Sequence, residues 1–253
     1  MKNVALLGEK SKERTKQQLF PVEGKREISM AVAAGYEIDS LFICTGFEAQ
    51  ACFPAKCVYE VSAKVFEKIA YREGSDGLLA LIKMRNNTLQ DIVLSSDPFV
   101  IVLESVEKPG NLGAILRTAD AANVDAVVVC DPKSDLFNPN VIRSSLGCVF
   151  TVSTATCSSQ EALEWLKKHE IKCYAAELES SHRYCNEDYT KSSAIVMGTE
   201  STGLSDFWLT NVDKRIKIPM NGKIDSLNVS VSTAIITFEA MRQRNFGQKG
   251  ILV

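Results

Sequence analysis

Residues 99–130 read FVIVLESVEKPGNLGAILRTADAANVDAVVVC. Both ends, Phe99–Glu104 and Ala126–Cys130, are short runs rich in β-branched residues, with no alternation of polar and apolar positions. Between them the spacing predicts a helix over about 112–122. A strand with no polar face is buried on both sides. Two such strands joined through a helix therefore predict a largely parallel sheet with helices on both faces.

The alternation continues with a helix at 139–146, a strand at 148–152, a helix at 159–169 and strands at 171–176 and 193–197. A long C-terminal helix is expected from about 227 to 245. Upstream, Phe20–Gly24 reads as a strand entering a turn, followed by a helix over 25–34 closed by Gly35. Leu41–Cys44 and Gly77–Ile82 read as strands, and Ser62 is placed to cap a helix over Ala63–Ala70. The polar, aperiodic stretch Arg85–Pro98 is the expected linker. The chain thus reads as α/β: a small domain over 1–84, a linker over 85–98 and a larger domain over 99–253.

With 253 residues, 45% hydrophobic and 24% charged, wholesale disorder is excluded. The apolar runs are too short to span a bilayer, and the first ten residues hold only a four-residue apolar stretch. No membrane partner is expected, and the expected location is the cytoplasm. The eight cysteines, at 44, 52, 57, 130, 148, 157, 173 and 185, include no Cys-x-x-Cys pair. His169 and His182 form no ligand pattern with them. Reduced, structural thiols and no metal are the expectation. The net charge of −2 does not advertise a nucleic-acid binder. Yet the first thirty residues hold seven basic side chains against four acids, and the tail adds Arg242, Arg244 and Lys249.

Three stretches in the larger domain lie where strands end, the usual ligand position of open α/β sheets. In the first, Pro109-Gly110 makes a turn, Asn111 is placed as an N-cap, and Arg117 follows six residues on. Six residues are about 240° around a helix, so Asn111 and Arg117 share no face. By itself Arg117 reads as a salt-bridged or snorkelling arginine. In the second, the strand 193–197 runs into Gly198-Thr-Glu200-Ser-Thr-Gly203, where glycines permit tight turns and close approach of a ligand to backbone. In the third, Ile216-Lys-Ile-Pro-Met220 breaks at Pro219 and enters a helix through Ser226-Leu-Asn228-Val-Ser230, a cluster that suits either caps or a polar ligand.

A dinucleotide fingerprint is imitated by Gly110-Asn-Leu-Gly113 with Asp131 after the next strand, but the glycine spacing is wrong. A P-loop is excluded, because Gly8-Glu-Lys-Ser11 lacks both the upstream glycine and the Gly-Lys pair.

The order and content of Asn111–Ala119, Met197–Gly203 and Ile218–Ser230 resemble the three motifs of the SpoU (TrmH-type) RNA methyltransferases. The start of the chain, with Phe20–Gly24 and the helix after it, is similar to the L30-like substrate-binding domain often fused to them. The resemblance implies an S-adenosylmethionine-dependent enzyme that methylates a ribose 2′-hydroxyl of structured RNA, ribosomal RNA before transfer RNA. An RNA-binding protein with the same fold and no methyl transfer is the alternative. It also implies a C-terminal trefoil knot and a homodimer with active sites near the interface. Carried over residue by residue, Met197, Gly198, Thr199, Gly203, Ile218, Met220 and Leu227 would hold the cofactor. Arg117 would be the key catalytic residue, with Asn111, Glu200, Ser226 and Asn228 orienting it and the ribose. Glu200 would lie near Arg117 and offset its burial.

Overall fold

A computed structural model describes residues 1–47, 53–71, 74–180 and 182–246, so Cys52 and Lys249 lie outside the described residues. The first elements are α1 (Lys2–Glu9), α2 (Ser11–Gln17), β1 (Leu19–Glu23), α3 (Lys25–Ala33), β2 (Ile38–Cys44), β3 (Ala55–Val61), α4 (Ala63–Phe66) and β4 (Leu78–Lys83). Next come β5 (Phe99–Glu104), α5 (Pro109–Ala122), β6 (Ala126–Cys130), α6 (Pro139–Ser144), β7 (Thr154–Cys157) and α7 (Ser159–Lys168). The chain continues through β8 (Lys172–Ala176), β9 (Ser193–Met197), α8 (Asp206–Asn211), β10 (Lys214–Ile216) and α9 (Val229–Gln243).

The chain divides into two units. One comprises Met1–Asn86 with Asp135–Thr151; the other runs over Asn87–Ser134 and from Val152 onward. The first unit carries a four-stranded sheet of order β1-β4-β2-β3, antiparallel except for the β2–β3 pair. Pro21 lies in β1, at the sheet edge, where its missing N–H breaks no ladder. Phe20 stacks on Phe137 at 4.3 Å, and Tyr36 meets Phe150 edge-on at 5.2 Å. These aromatic pairs fix the 135–151 excursion to the unit. The excursion departs from the expected strand at 148–152: Cys148–Phe150 is a single 3₁₀ turn, and the strand is Thr154–Cys157. A short buried apolar run has no periodicity that tells a turn from a strand.

The second unit holds a six-stranded sheet of order β10-β8-β9-β5-β6-β7 in which every pair is parallel, as expected from residues 99–130. Val100, Val102, Val128, Cys130 and Val196 form one face, against Ala162, Leu163 and Leu166 of α7 and Trp208 of α8. α5 and α9 pack against each other, on β6 and β9 respectively. The expected linker is instead part of this unit. Leu89 is in the core, Asn87 donates to Thr154 Oγ1 at 2.6 Å, and Ser95 N donates to Asp125 at 2.9 Å. Two single polar anchors and one leucine leave no repeating signal in sequence.

Several basic residues near the termini are structural. Arg14 is 1% exposed; its Nε donates to Asp135 Oδ2 at 2.7 Å and its Nη1 to the Leu7 carbonyl at 2.6 Å. Arg244 donates to the carbonyls of Tyr189, Asp97 and Lys191 at 2.5–2.7 Å. Among the described residues no helix is long and apolar enough to cross a membrane.

Removing one partner of a buried pair strands the other charge away from water. Asp135→Ala should therefore destabilise the protein by about 3–5 kcal/mol in denaturant unfolding. Unchanged stability would show that Arg14 is satisfied by carbonyls alone.

Candidate functional site

The loop after β9 is built on a backbone contact that only glycine allows. A Cβ on Gly198 would lie 2.2–2.4 Å from Gly203 C and O and Leu204 N, so any side chain would force the loop open. Gly203 has φ +69°, and Thr199 and Gly203 exchange backbone hydrogen bonds of 3.0 and 3.2 Å. The far end of the loop is pinned by Glu104, the last residue of β5. Its buried carboxylate accepts from Ser205 N at 2.8 Å and Ser205 Oγ at 2.5 Å.

This rigid loop presents Glu200 to two other segments. Glu200 Oε1 accepts from Asn111 Nδ2 at 2.6 Å and from Asn228 Nδ2 at 2.5 Å, and Asn228 Nδ2 also lies 3.2 Å from Asn111 Oδ1. Asn228 caps α9, its Oδ1 accepting from Ser230 N at 3.0 Å and Ser230 Oγ at 2.6 Å. Asn111 is not a cap: α5 begins at Pro109 with Lys108 before it, so Asn111 stands in the first turn with its side chain free for Glu200. Glu200 Oε2 pairs with Lys108 Nζ at 2.6 Å. The Lys108 ammonium and the Asn111 amide hold the Glu200 carboxyl below the ordinary glutamate range, and Glu200 in turn raises Lys108.

Beside this cluster lies a cavity of about 450 Å³. Met197, Gly198, Thr199, Gly203, Ile218, Met220 and Leu227, the seven residues expected to hold a cofactor, all line it. Glu200 and Ser226 line it too, with Ser226 Oγ donating to Asp225 Oδ1 at 3.1 Å rather than joining the asparagines. A further wall, Ala176–Glu179 after β8, was not foreseen. Its only sequence signal is its position at a strand end.

Arg117 does not meet Glu200. It is exposed on α5, and among the described residues neither a hydrogen bond nor an ion pair is found for it. The 240° offset from Asn111 accounts for this separation. Lys108, which does meet Glu200, carries no sequence signal beyond its place before a Pro-Gly turn. Asp131, the acid a dinucleotide site would present to a ribose, accepts from Ser159 N and Oγ at 3.2 and 2.6 Å.

The Glu200 carboxyl should titrate below free glutamate when followed by carbon-13 NMR, and Lys108→Ala should move its midpoint upward. Because the folded value is the depressed one, what this pairing contributes is complete above the ordinary carboxylate range. It disappears as pH falls through the folded value. An unmoved midpoint in Lys108→Ala would contradict the pairing.

Residues 98–238 match the SpoU rRNA Methylase family, and residues 1–80 match the MRM3-like substrate binding domain. The chain is 28% identical over 229 residues to the 23S rRNA (guanosine(2553)-2'-O)-methyltransferase RlmP of Bacillus subtilis (strain 168), covering 90% of each. It is 35% identical over 193 residues to the 23S rRNA (guanosine-2'-O-)-methyltransferase RlmB of Vibrio cholerae serotype O1, covering 74% of this chain and 78% of that one. The crystal structure of the SpoU methyltransferase AviRb from Streptomyces viridochromogenes in complex with AdoMet superposes with a TM-score of 0.90. It shares 25% identity and covers 98% of both chains. With its second and third motif stretches lining one cavity, the first joined to them through the Asn111–Glu200 hydrogen bond, and more than half its length matched, the chain belongs to the SpoU rRNA Methylase family.

Proposed function

We propose that this protein transfers a methyl group from S-adenosylmethionine to a ribose 2′-hydroxyl of ribosomal RNA, acting as a homodimer. The observation that carries this reading is the single cavity lined by seven motif residues and bordered by the Asn111–Glu200–Asn228 cluster. The residues fit the cofactor: Gly203 leaves open the space a Cβ would fill, and Ile218, Met220 and Leu227 give an apolar wall suited to a purine. Bound there, S-adenosylmethionine supplies a methyl group already activated as a sulfonium.

The chain's own task is then to place a hydroxyl and ease the loss of its proton. Asn111 and Asn228 hold Glu200 Oε1, so Oε2, shared among the described residues with the exposed Lys108 alone, is the oxygen open to a ribose hydroxyl. A carboxyl held below its usual range orients that hydroxyl but is a poor sink for its proton. The proton leaves to phosphate or water, while a guanidinium stabilises the developing alkoxide. Arg117 supplies that guanidinium.

Since Arg117 is turned from the cluster of its own chain, a second protomer is the natural source. α9 supports this: it exposes Val231 (46%) and Phe238 (41%), seven residues apart on one stripe, while its other face packs on α5 and β9. The deep trefoil knot belongs to the same proposal, because the loop after β9 and the segment after β10 line one cavity, as such a knot requires. The first unit, matching a substrate-binding domain, takes the RNA, and a ribosomal substrate implies the cytoplasm.

Calorimetry should show S-adenosylmethionine binding to the wild type and its loss in Gly198→Ala. Arg117→Ala should bind cofactor normally and melt within a degree or two of wild type. Its single-turnover methyl transfer to ribosomal RNA should fall by about two to three powers of ten. Light scattering should give twice the chain mass. Absent cofactor binding, a fully active Arg117→Ala or a monomer would each remove the corresponding part of the proposal.

A further inference from the structure

The first unit contains a cavity of about 470 Å³ that shares no residue with the site above. Glu27, in the first turn of α3, lines it and is only 6% exposed. The other buried glutamates are satisfied: Glu104 by Ser205, and Glu187 by Lys214 Nζ at 2.6 Å. For Glu27 neither a hydrogen bond nor an ion pair is found among the described residues. Its carboxylate lines the cavity with none of the described residues donating to it, and so stands open to donors that a ligand brings.

We propose that this cavity takes an unpaired guanine of the RNA substrate, with its N1–H and N2–H edge on Glu27. The proposal rests on the RNA reading above and adds a base-reading subsite to it. A carboxylate offers two acceptor oxygens and no donor. Guanine presents two adjacent donors on its Watson–Crick edge, whereas adenine, cytosine and uracil each present one donor beside an acceptor. Only guanine therefore matches both oxygens of Glu27 in a bidentate pair. Leu79 and Pro139 supply apolar wall for the base faces. Tyr71, 50% exposed at the rim with its backbone N–H donating to Glu23 Oε2 at 2.5 Å, supplies a stacking surface. Glu9 and Glu23 also line the cavity, which keeps phosphate out of it. Lys68 and Arg143 are exposed cations at its edge and take the backbone there.

The test uses the full chain and four fluorescent heptamers, three uridines on each side of a central guanine, inosine, adenine or cytosine, at one salt concentration. The guanine heptamer should bind about ten- to hundredfold tighter than the adenine and cytosine ones, with inosine, lacking the N2 amine, between. Glu27→Gln should bring the four affinities together while leaving the protein folded, as judged by its melting temperature. In the wild type, 6-thioguanine at the centre should photo-crosslink to peptides holding Tyr71 or residues 138–143, a readout independent of any variant. Equal affinity for the four heptamers, no binding at all, selectivity that survives Glu27→Gln, or crosslinks confined to 197–228 would overturn the proposal. Methyl transfer to 23S ribosomal RNA, measured on the same preparation, separates the two readings. Activity without guanine selectivity removes the pocket alone. Selectivity without activity removes the methyltransferase reading alone.

Discussion

The carboxylate of Glu200 is the acceptor on which two distant segments of the second unit converge. Lys108 and Asn111 come from the start of α5, and Asn228 from the cap of α9. Because its side chain is partly exposed, these bonds add little to global stability. What they fix is position. Glu200 can hold that position only because Gly198 lets the loop fold back on the Gly203–Leu204 backbone and Glu104 clamps its far end at Ser205. Remove either restraint and the asparagines have nothing to converge on.

The fold was legible where burial repeats along the chain. The valine-rich strands at 99–104 and 126–130 announce a two-sided parallel sheet, and all five strand pairs of the second unit are parallel. Legibility ended where single contacts decide the outcome. Residues 87–98 follow the second unit through Leu89, Asn87 and Ser95. Residues 135–151 follow the first through Phe137, Phe150 and the Asp135–Arg14 pair. No window of sequence contains both halves of such a contact. α1, α2 and β3 went unread for a related reason, since β3 is mostly half-buried or exposed and carries no continuous apolar run.

The site shows the same division. All seven residues expected at the cofactor line one cavity, because they lie at the end of β9 and in the two connections that follow β9 and β10, whose starting points the sheet dictates. The expectation that Glu200 would sit beside Arg117 fails on helix geometry: six residues of α-helix turn Arg117 away from the face that carries Asn111. Lys108 takes the place beside Glu200 instead. Charge near the termini was equally misleading in total. Arg14 and Arg244 serve carbonyls and a carboxylate of their own units, so the side chains that remain for RNA are fewer and more localised than the count suggests.

Alkaline hydrolysis of the product tests the central claim most directly. A methyl group on the 2′-oxygen removes the nucleophile by which alkali cleaves the adjacent phosphodiester, whereas a methyl group on a base leaves it in place. The protein should be incubated with 23S ribosomal RNA and S-adenosylmethionine labelled in the methyl group, and the RNA then digested to completion in alkali. The account predicts that the label survives in alkali-resistant dinucleotides. Label recovered only in mononucleotides would mean that the Glu200 cluster holds a base rather than a ribose, and would contradict it.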